Sequence, residues 1–227
     1  MDIICISLSG NIVAGESGIK VQFIKKLEKL LKGYSSKYKF IITVGGGYAS
    51  RLYITSTKSI ISNNTLLDQI GIAFTRINAL ILKDLLSNLD VYPNVVASME
   101  ELKMATSTNS VAIMGGLIPG VSTDAVCALA CEATNSKMLI NVSNLAYIYD
   151  RPPSEKGAKK LETLTHDKLL EIAFKYDNRI AGSNFIFDMF ASKIAKRANL
   201  NIKFVSDNID DLEAAIQGRP YKGSMVK

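Results

Sequence analysis

The sequence predicts an α/β fold, a three-layer sandwich with a central, mainly parallel sheet covered by helices on both faces. Three observations predict it. Short apolar runs alternate with helical segments along the chain, the pattern of strands joined by crossover helices. The runs Ile3–Leu8, Phe40–Val44 and Val111–Met114 are almost continuously apolar, as strands buried on both faces are. Several of these runs stop at turns of glycine or small polar residues, and parallel sheets bind ligands beyond the carboxyl ends of their strands.

Ile3–Leu8 is the first strand, ending at the turn Ser9-Gly10-Asn11. Val21, Ile24, Leu27, Leu30 and Leu31 recur at three and four with lysines between them, which predicts an amphipathic helix. Phe40–Val44 is a buried strand that stops at Gly45-Gly46-Gly47. A helix from Tyr48 to about Ile61 carries Arg51 one turn inside. Asn64 or Thr65 can cap a long helix, Leu66–Leu89, whose apolar face is Ile70, Phe74, Ile77, Leu80, Ile81 and Leu85. Val95–Ala97 reads as a short strand. Ser98 then caps a short helix, with Glu101 at the capping-box position.

Val111–Met114 is followed by Gly115-Gly116-Leu117-Ile118-Pro119-Gly120-Val121-Ser122-Thr123-Asp124, and then by a small, apolar helix, Ala125–Ala133. This is a strand, a glycine-rich turn and a helix start. Glycines let a backbone approach a ligand closely, and a helix N-terminus offers free N–H groups at the positive end of its dipole. The stretch therefore reads either as an anion site or as a Gly-Pro turn with a Ser/Thr cap and no ligand. Lys137–Val142 is a strand running into Ser143-Asn144. Arg151–Lys160 is a polar loop, and Thr165 opens a helix through Ala173. A loop with Gly182 leads to a helix from about Phe187 to Ala198. Asn201–Val205 is the last core strand, Asp207 or Asn208 caps a helix ending at Gly218, and Gly223–Val226 suits a small edge strand.

Net charge is +6, but Lys and Arg are scattered and no nucleic-acid motif is present, which favours small anionic substrates over nucleic acid. Cys5, Cys127 and Cys131 lie in apolar runs without the spacing of metal ligands, and free thiols in a reducing cytoplasm are expected. No basic segment precedes the first strand, so no signal peptide is expected. No apolar run reaches the ~18 residues of a membrane span. His166, at a helix start, reads as a surface histidine.

The motifs Val44-Gly45-Gly46-Gly47 with Arg51, Asp68-Gln69-Ile70-Gly71-Ile72, Thr75-Arg76-Ile77-Asn78-Ala79, Met114-Gly115-Gly116 through Pro119-Gly120, Ser122-Thr123-Asp124-Ala125 and Asp188 to Lys193 occur in one order along nearly the whole chain. In this the chain resembles the archaeal branch of uridylate kinases (UMP kinases), within the amino acid kinase superfamily. The resemblance implies a single amino acid kinase domain over residues 1–227, its N-terminal part mainly acceptor-binding and its C-terminal part mainly ATP-binding. It implies phosphoryl transfer from ATP to UMP, with Mg²⁺ carried on the nucleotide and no resident metal, in pyrimidine nucleotide synthesis. It further implies a cytoplasmic homohexamer built from dimers; for its interface the sequence offers the long apolar helix Leu66–Leu89.

By the same resemblance, Gly10, Asn11, Gly47, Arg51, Ser143, Asn144 and Tyr149 would bind ATP. Gly46, Asp68, Leu117, Ile118, Pro119, Gly120, Val121, Ser122 and Thr123 would hold UMP. Asp124 would organise the reacting centre, with Arg51 and Lys193 as cations near the phosphates. Phosphoryl transfer asks for in-line positioning and charge neutralisation, which glycine-turn N–H groups, Mg²⁺ and cations supply. A carboxylate such as Asp68 suits a ribose hydroxyl, because it accepts what the hydroxyl donates.

The chain departs from the family in several places: Ser9-Gly10-Asn11 replaces a Gly-Gly-Ser type turn, and Leu117 and Ile118 replace more polar residues of the UMP loop. Ser7 stands where many members carry a strand lysine. Ser143-Asn144-Leu145-Ala146-Tyr147-Ile148-Tyr149-Asp150-Arg151-Pro152-Pro153 replaces a Thr-Asn-Val-Asp-Gly-Val-Tyr run and its Asp-Pro pair. Two other readings stay open: a kinase of another small acceptor on the same fold, and a non-catalytic nucleotide-binding protein. Isopentenyl phosphate kinases of the superfamily use a pocket histidine, and His166 lies outside the matching segments.

Overall fold

The computed structural model describes residues 1–176 and 187–227. The elements run β1 (Asp2–Leu8), α1 (Gly10–Val13), β2 (Ala14–Gly15), β3 (Gly18–Ile19), α2 (Val21–Tyr34), β4 (Tyr38–Val44), α3 (Gly47–Thr57), α4 (Asn64–Leu85), α5 (Met99–Thr108), β5 (Val111–Met114), α6 (Thr123–Ala133), β6 (Met138–Val142), β7 (Ile148–Tyr149), β8 (Lys160–Leu161), β9 (Thr163–Leu164), α7 (His166–Tyr176), α8 (Met189–Ala198), β10 (Asn201–Val205), α9 (Ile209–Gln217) and β11 (Gly223–Val226).

Seven strands form the main sheet in the order β5-β4-β1-β6-β10-β11-β9. The pairs β5–β4, β4–β1, β1–β6 and β6–β10 are all parallel. Their carboxyl ends therefore share one edge, and the turns after β1, β4, β5 and β6 gather there. The backbone keeps its register as it leaves the sheet: Gly45 N–H donates to Leu8 O at 3.0 Å and Ser9 N–H to Val142 O at 2.9 Å.

Side-chain alternation splits the core between the two faces. Ile4, Ile6, Leu8, Phe40, Ile42 and Val44 pack with α2, α4 and α9. Cys5, Ile41, Ala112 and Leu139 pack with α5, α6, α7 and α8. Phe187 and Phe204 meet edge to face at 5.6 Å between ring centroids within this second core. All three cysteines are free and buried.

Helix starts follow their caps. Ser98 accepts from Glu101 N–H and Ser122 from Ala125 N–H, each satisfying a backbone donor that the helix itself cannot. The cap of α4 is Asn63, which accepts from Thr65 N–H, and the helix runs Asn64–Leu85 instead of Leu66–Leu89. Asn208 caps α9, and Gly218 ends it in the left-handed conformation.

Three further expectations change. Val95–Ala97 is not a strand: Val96 makes one isolated bridge to Met114. The tail β11 is not an edge strand, since it lies between β10 (antiparallel) and β9 (parallel). The expected apolar face of α4 is not its buried one. Leu67, Thr75, Asn78, Ala79 and Leu82 are buried, whereas Ile77 and Leu80 are about half exposed, at 50% and 48%. By length and composition α4 is also apolar enough to cross a membrane. The loop expected around Gly182 lies outside the described residues.

Candidate active site

The site is built from the shared strand edge upward. Where β1 and β4 end, their turns touch backbone to backbone. A Cβ on Gly10 would overlap Gly47 N and Gly45 O, so only glycine fits. Arg51, half-buried one turn into α3, donates through its guanidinium to Asn11 Oδ1 and so ties α3 to the β1 turn. Burial lowers its pKa from the ordinary arginine value.

Helix α4 braces the glycine turns from the side, and this explains its buried polar residues. Asn78 Nδ2 donates to Gly45 O at 2.9 Å and Gly46 O at 3.0 Å. Thr75 Oγ1 accepts from Gly116 N–H at 2.7 Å and donates to Ile72 O at 2.6 Å. Arg76 Nε donates to Gly116 O at 3.3 Å. Higher up, Asp68 accepts from Gly120 N–H at 2.8 Å, and Gly120 has φ 77°, a left-handed conformation. No role attaches to Thr75, Arg76 or Asn78 in the sequence reading. The signal that marks Thr75 and Asn78 is a polar residue in the helical phase of Ala79 and Leu82, whereas Arg76 is exposed and carries no such signal.

At the start of α6, Ser122 caps its own helix and donates to Asp188 Oδ2. Asp188 in turn caps α8, accepting from Phe190 N–H at 2.8 Å and Ala191 N–H at 3.0 Å. The two helix starts are thus tied together. Between them lies a cleft of about 590 Å³, with Pro119, Gly120 and Val121 on one side and Met189, Phe190 and Lys193 on another.

Asp124, in the first turn of α6, is half-buried over the ends of β1 and β6. Its Oδ1 accepts from Ser7 Oγ at 2.6 Å and from Asn141 Nδ2 at 2.8 Å. Burial pushes its pKa up to about 7; the nearby Asp188 adds to the rise, and the bonds from Ser7 and Asn141 oppose it. Ser7, Thr43 and Asn141 are register neighbours on β1, β4 and β6, a buried polar row one residue short of the strand ends.

Of the expected site residues, Gly10, Asn11, Gly46, Gly47, Arg51, Asp68, Gly120, Ser122 and Asp124 lie in this bonded network along one edge. Leu117, Ile118, Pro119, Val121 and Thr123 belong to the loop and helix start that it holds. Ser143 and Asn144 follow β6 on the same edge, with Ser143 Oγ closing on Leu145 O at 2.8 Å. Tyr149 stands apart, in the β7–β8 ribbon, which docks on β11 through the Ile148 N–H bond to Ser224 Oγ. Lys193 is exposed at the cleft, and the groups acting on Asp124 are Ser7, Asn141 and Asp188. His166 is not a surface residue. It is 8% exposed beneath the start of α7, and burial lowers its pKa. Among the described residues no three His, Cys, Asp or Glu side chains group as a metal site.

A mainly parallel sandwich with glycine turns, helix starts and one acidic side chain on a single strand edge defines a class, and the chain belongs to the Amino acid kinase family, whose model matches residues 2–206. Within that family its relatives are uridylate kinases. It is 34% identical over 219 residues to the uridylate kinase of Thermoplasma volcanium, covering 96% of this chain and 94% of that one. It is 34% identical over 226 residues to the uridylate kinase of Methanopyrus kandleri, covering 98% of each. The crystal structure of uridylate kinase from Archaeoglobus fulgidus superposes with a TM-score of 0.83 at 28% identity over the whole of both chains. The resemblance to archaeal uridylate kinases and the fold expected from it are borne out.

Proposed function

We propose that this chain is a uridylate kinase that transfers the γ-phosphoryl group of MgATP to UMP, giving UDP and ADP, in pyrimidine nucleotide synthesis. The observation that carries the reading is the near-full-length identity to uridylate kinases, together with an edge on which glycine turns and two helix starts face one another.

In this reading a UMP phosphate oxygen attacks the γ-phosphorus in line and ADP leaves. No covalent bond to the protein forms, so the chain supplies position and charge. The turns at Gly10-Asn11 and Gly47, with Arg51, face ATP, and Gly46 faces UMP. The loop Leu117–Thr123, held by Asp68 and Ser122, takes UMP, and the start of α6 adds its dipole to the phosphate. Mg²⁺ arrives with the nucleotide and neutralises its phosphate oxygens. Residues 1–227 act as one domain with an acceptor half and a nucleotide half. The half-exposed Ile77 and Leu80 of α4 support self-association, as a homohexamer in the cytoplasm.

The test is ADP formation from MgATP with UMP, CMP, AMP and isopentenyl phosphate as acceptors, in the chain and in Asp68→Ala. Turnover of UMP, weakened in the variant through KM, is expected. Turnover of another acceptor in preference to UMP, or ATP binding with no turnover at all, would sink the reading.

A further inference from the structure

A part-buried carboxylate needs an opposite charge or hydrogen-bond donors to stay ionised. Among the described residues no cation touches Asp124. What it has is the Ser7 hydroxyl at 2.6 Å and the Asn141 amide at 2.8 Å, both on Oδ1. Asn141 is 4% exposed, and its own Oδ1 is buried with no hydrogen-bond partner. An asparagine kept to knit a core together has both ends of its amide bonded. Here the bond that fixes the side chain is the one to Asp124.

We infer that Asn141 is a positioning residue for the phosphoryl transfer, acting with Ser7 as a pair of neutral dipoles that hold the Asp124 carboxyl over the strand ends. This rests on the reading above that Asp124 stands at the reacting centre. The amide suits the task because it favours the ionised carboxyl without adding a charge. Its Nδ2 donates to the carboxylate. An ammonium group in the same place would lock the ionised form.

Other groups around the carboxyl do not duplicate this role. Asp188, at the start of α8, repels negative charge on it, and the Cys127 thiol lies one turn further along α6. The third member of the polar row, Thr43, carries no charge, and its buried hydroxyl lies beside the Cys127 thiol. Among the described residues, loss of Asn141 therefore leaves Ser7 as the one donor opposing burial and Asp188.

The experiment follows the Asp124 carboxyl by ¹³C NMR in aspartate-labelled protein, assigned with Asp124→Asn, alongside the pH profile of UMP phosphorylation. Asn141→Leu should raise the titration midpoint. The acid limb of kcat should move with it, costing about tenfold in kcat at neutral pH for each pH unit the limb travels, with KM for UMP and ATP held within about twofold. Ser7→Ala should move both in the same direction, and it carries the test if Asn141→Leu does not fold. A folded Asn141→Leu with an unmoved midpoint and an unmoved pH profile would overturn the inference, as would a midpoint that moves while the acid limb stays. Absence of UMP turnover in the unaltered chain would overturn the functional reading instead, and the midpoint would still report whether Asn141 holds the carboxyl.

Discussion

A single carboxyl sets the strongest residue-scale conflict between stability and activity. The ordinary pKa of Asp124 is 3.8 and its folded value is about 7. Between these values the folded chain holds a proton that the unfolded chain has released, so stability falls as pH rises through that window. Asp124→Asn, which carries no charge to bury, should raise stability at pH 8 by on the order of 2–4 kcal/mol relative to the unaltered chain, a gain that fades near pH 4. Denaturant unfolding at the two pH values checks this, and the same substitution should abolish phosphoryl transfer. His166 gives the opposite sign. Burial depresses its pKa, so stability is lost as pH falls below the ordinary value of 6.5 and toward the folded one. His166→Leu should flatten that acid-side loss in the same titration, and a slope equal to that of the unaltered chain would discount the histidine.

The elements show which features the sequence made legible and which it hid. The strand, glycine turn and helix from Val111 to Ala133 were readable, because an apolar run, a turn and a cap are local signals. The buried face of α4 was not. Apolar periodicity pointed to Ile70, Phe74 and Ile77, but Thr75 and Asn78 turn inward because they complete the hydrogen bonds of two glycine turns. That demand comes from another part of the chain, and apolar periodicity alone does not reveal it. The short β7, β8 and β9, and the inner position of β11, depend on partners chosen at long range, and a pattern of a few residues cannot name its partner. Asn78→Ala strands two carbonyls. It should cost about 1–3 kcal/mol in equilibrium unfolding and raise the KM for nucleotide more than it lowers kcat. Gly10→Ala drives a methyl into the Gly45 and Gly47 backbone. Its cost should exceed about 4 kcal/mol, the range reserved for built-in clashes; normal expression and melting of that variant would contradict the close approach of the two turns.

For the whole molecule, both faces of the sheet are covered by helices, and among the described residues the exposed apolar side chains are spread over several elements, α4 among them. Ile77 and Leu80 stand about half exposed there. If the proposed assembly forms through this helix, Leu80→Glu should reduce the particle measured by light scattering to a smaller species, while far-UV circular dichroism stays unchanged. An unchanged particle mass would move the interface elsewhere. The sheet order carries one more consequence, for how the chain comes into being. The first strand, β1, lies at the centre of the parallel array, and its second side is closed only when Ile4 pairs with Met138. A ribosome adding about 5–20 residues per second takes roughly 7–27 seconds to reach that partner. For that time a newly made, almost wholly apolar edge stands open beside β4. A nascent chain with that exposed edge is open to mispairing, and heat during synthesis should lower its yield well before it damages the finished protein, which expression at graded temperatures would check.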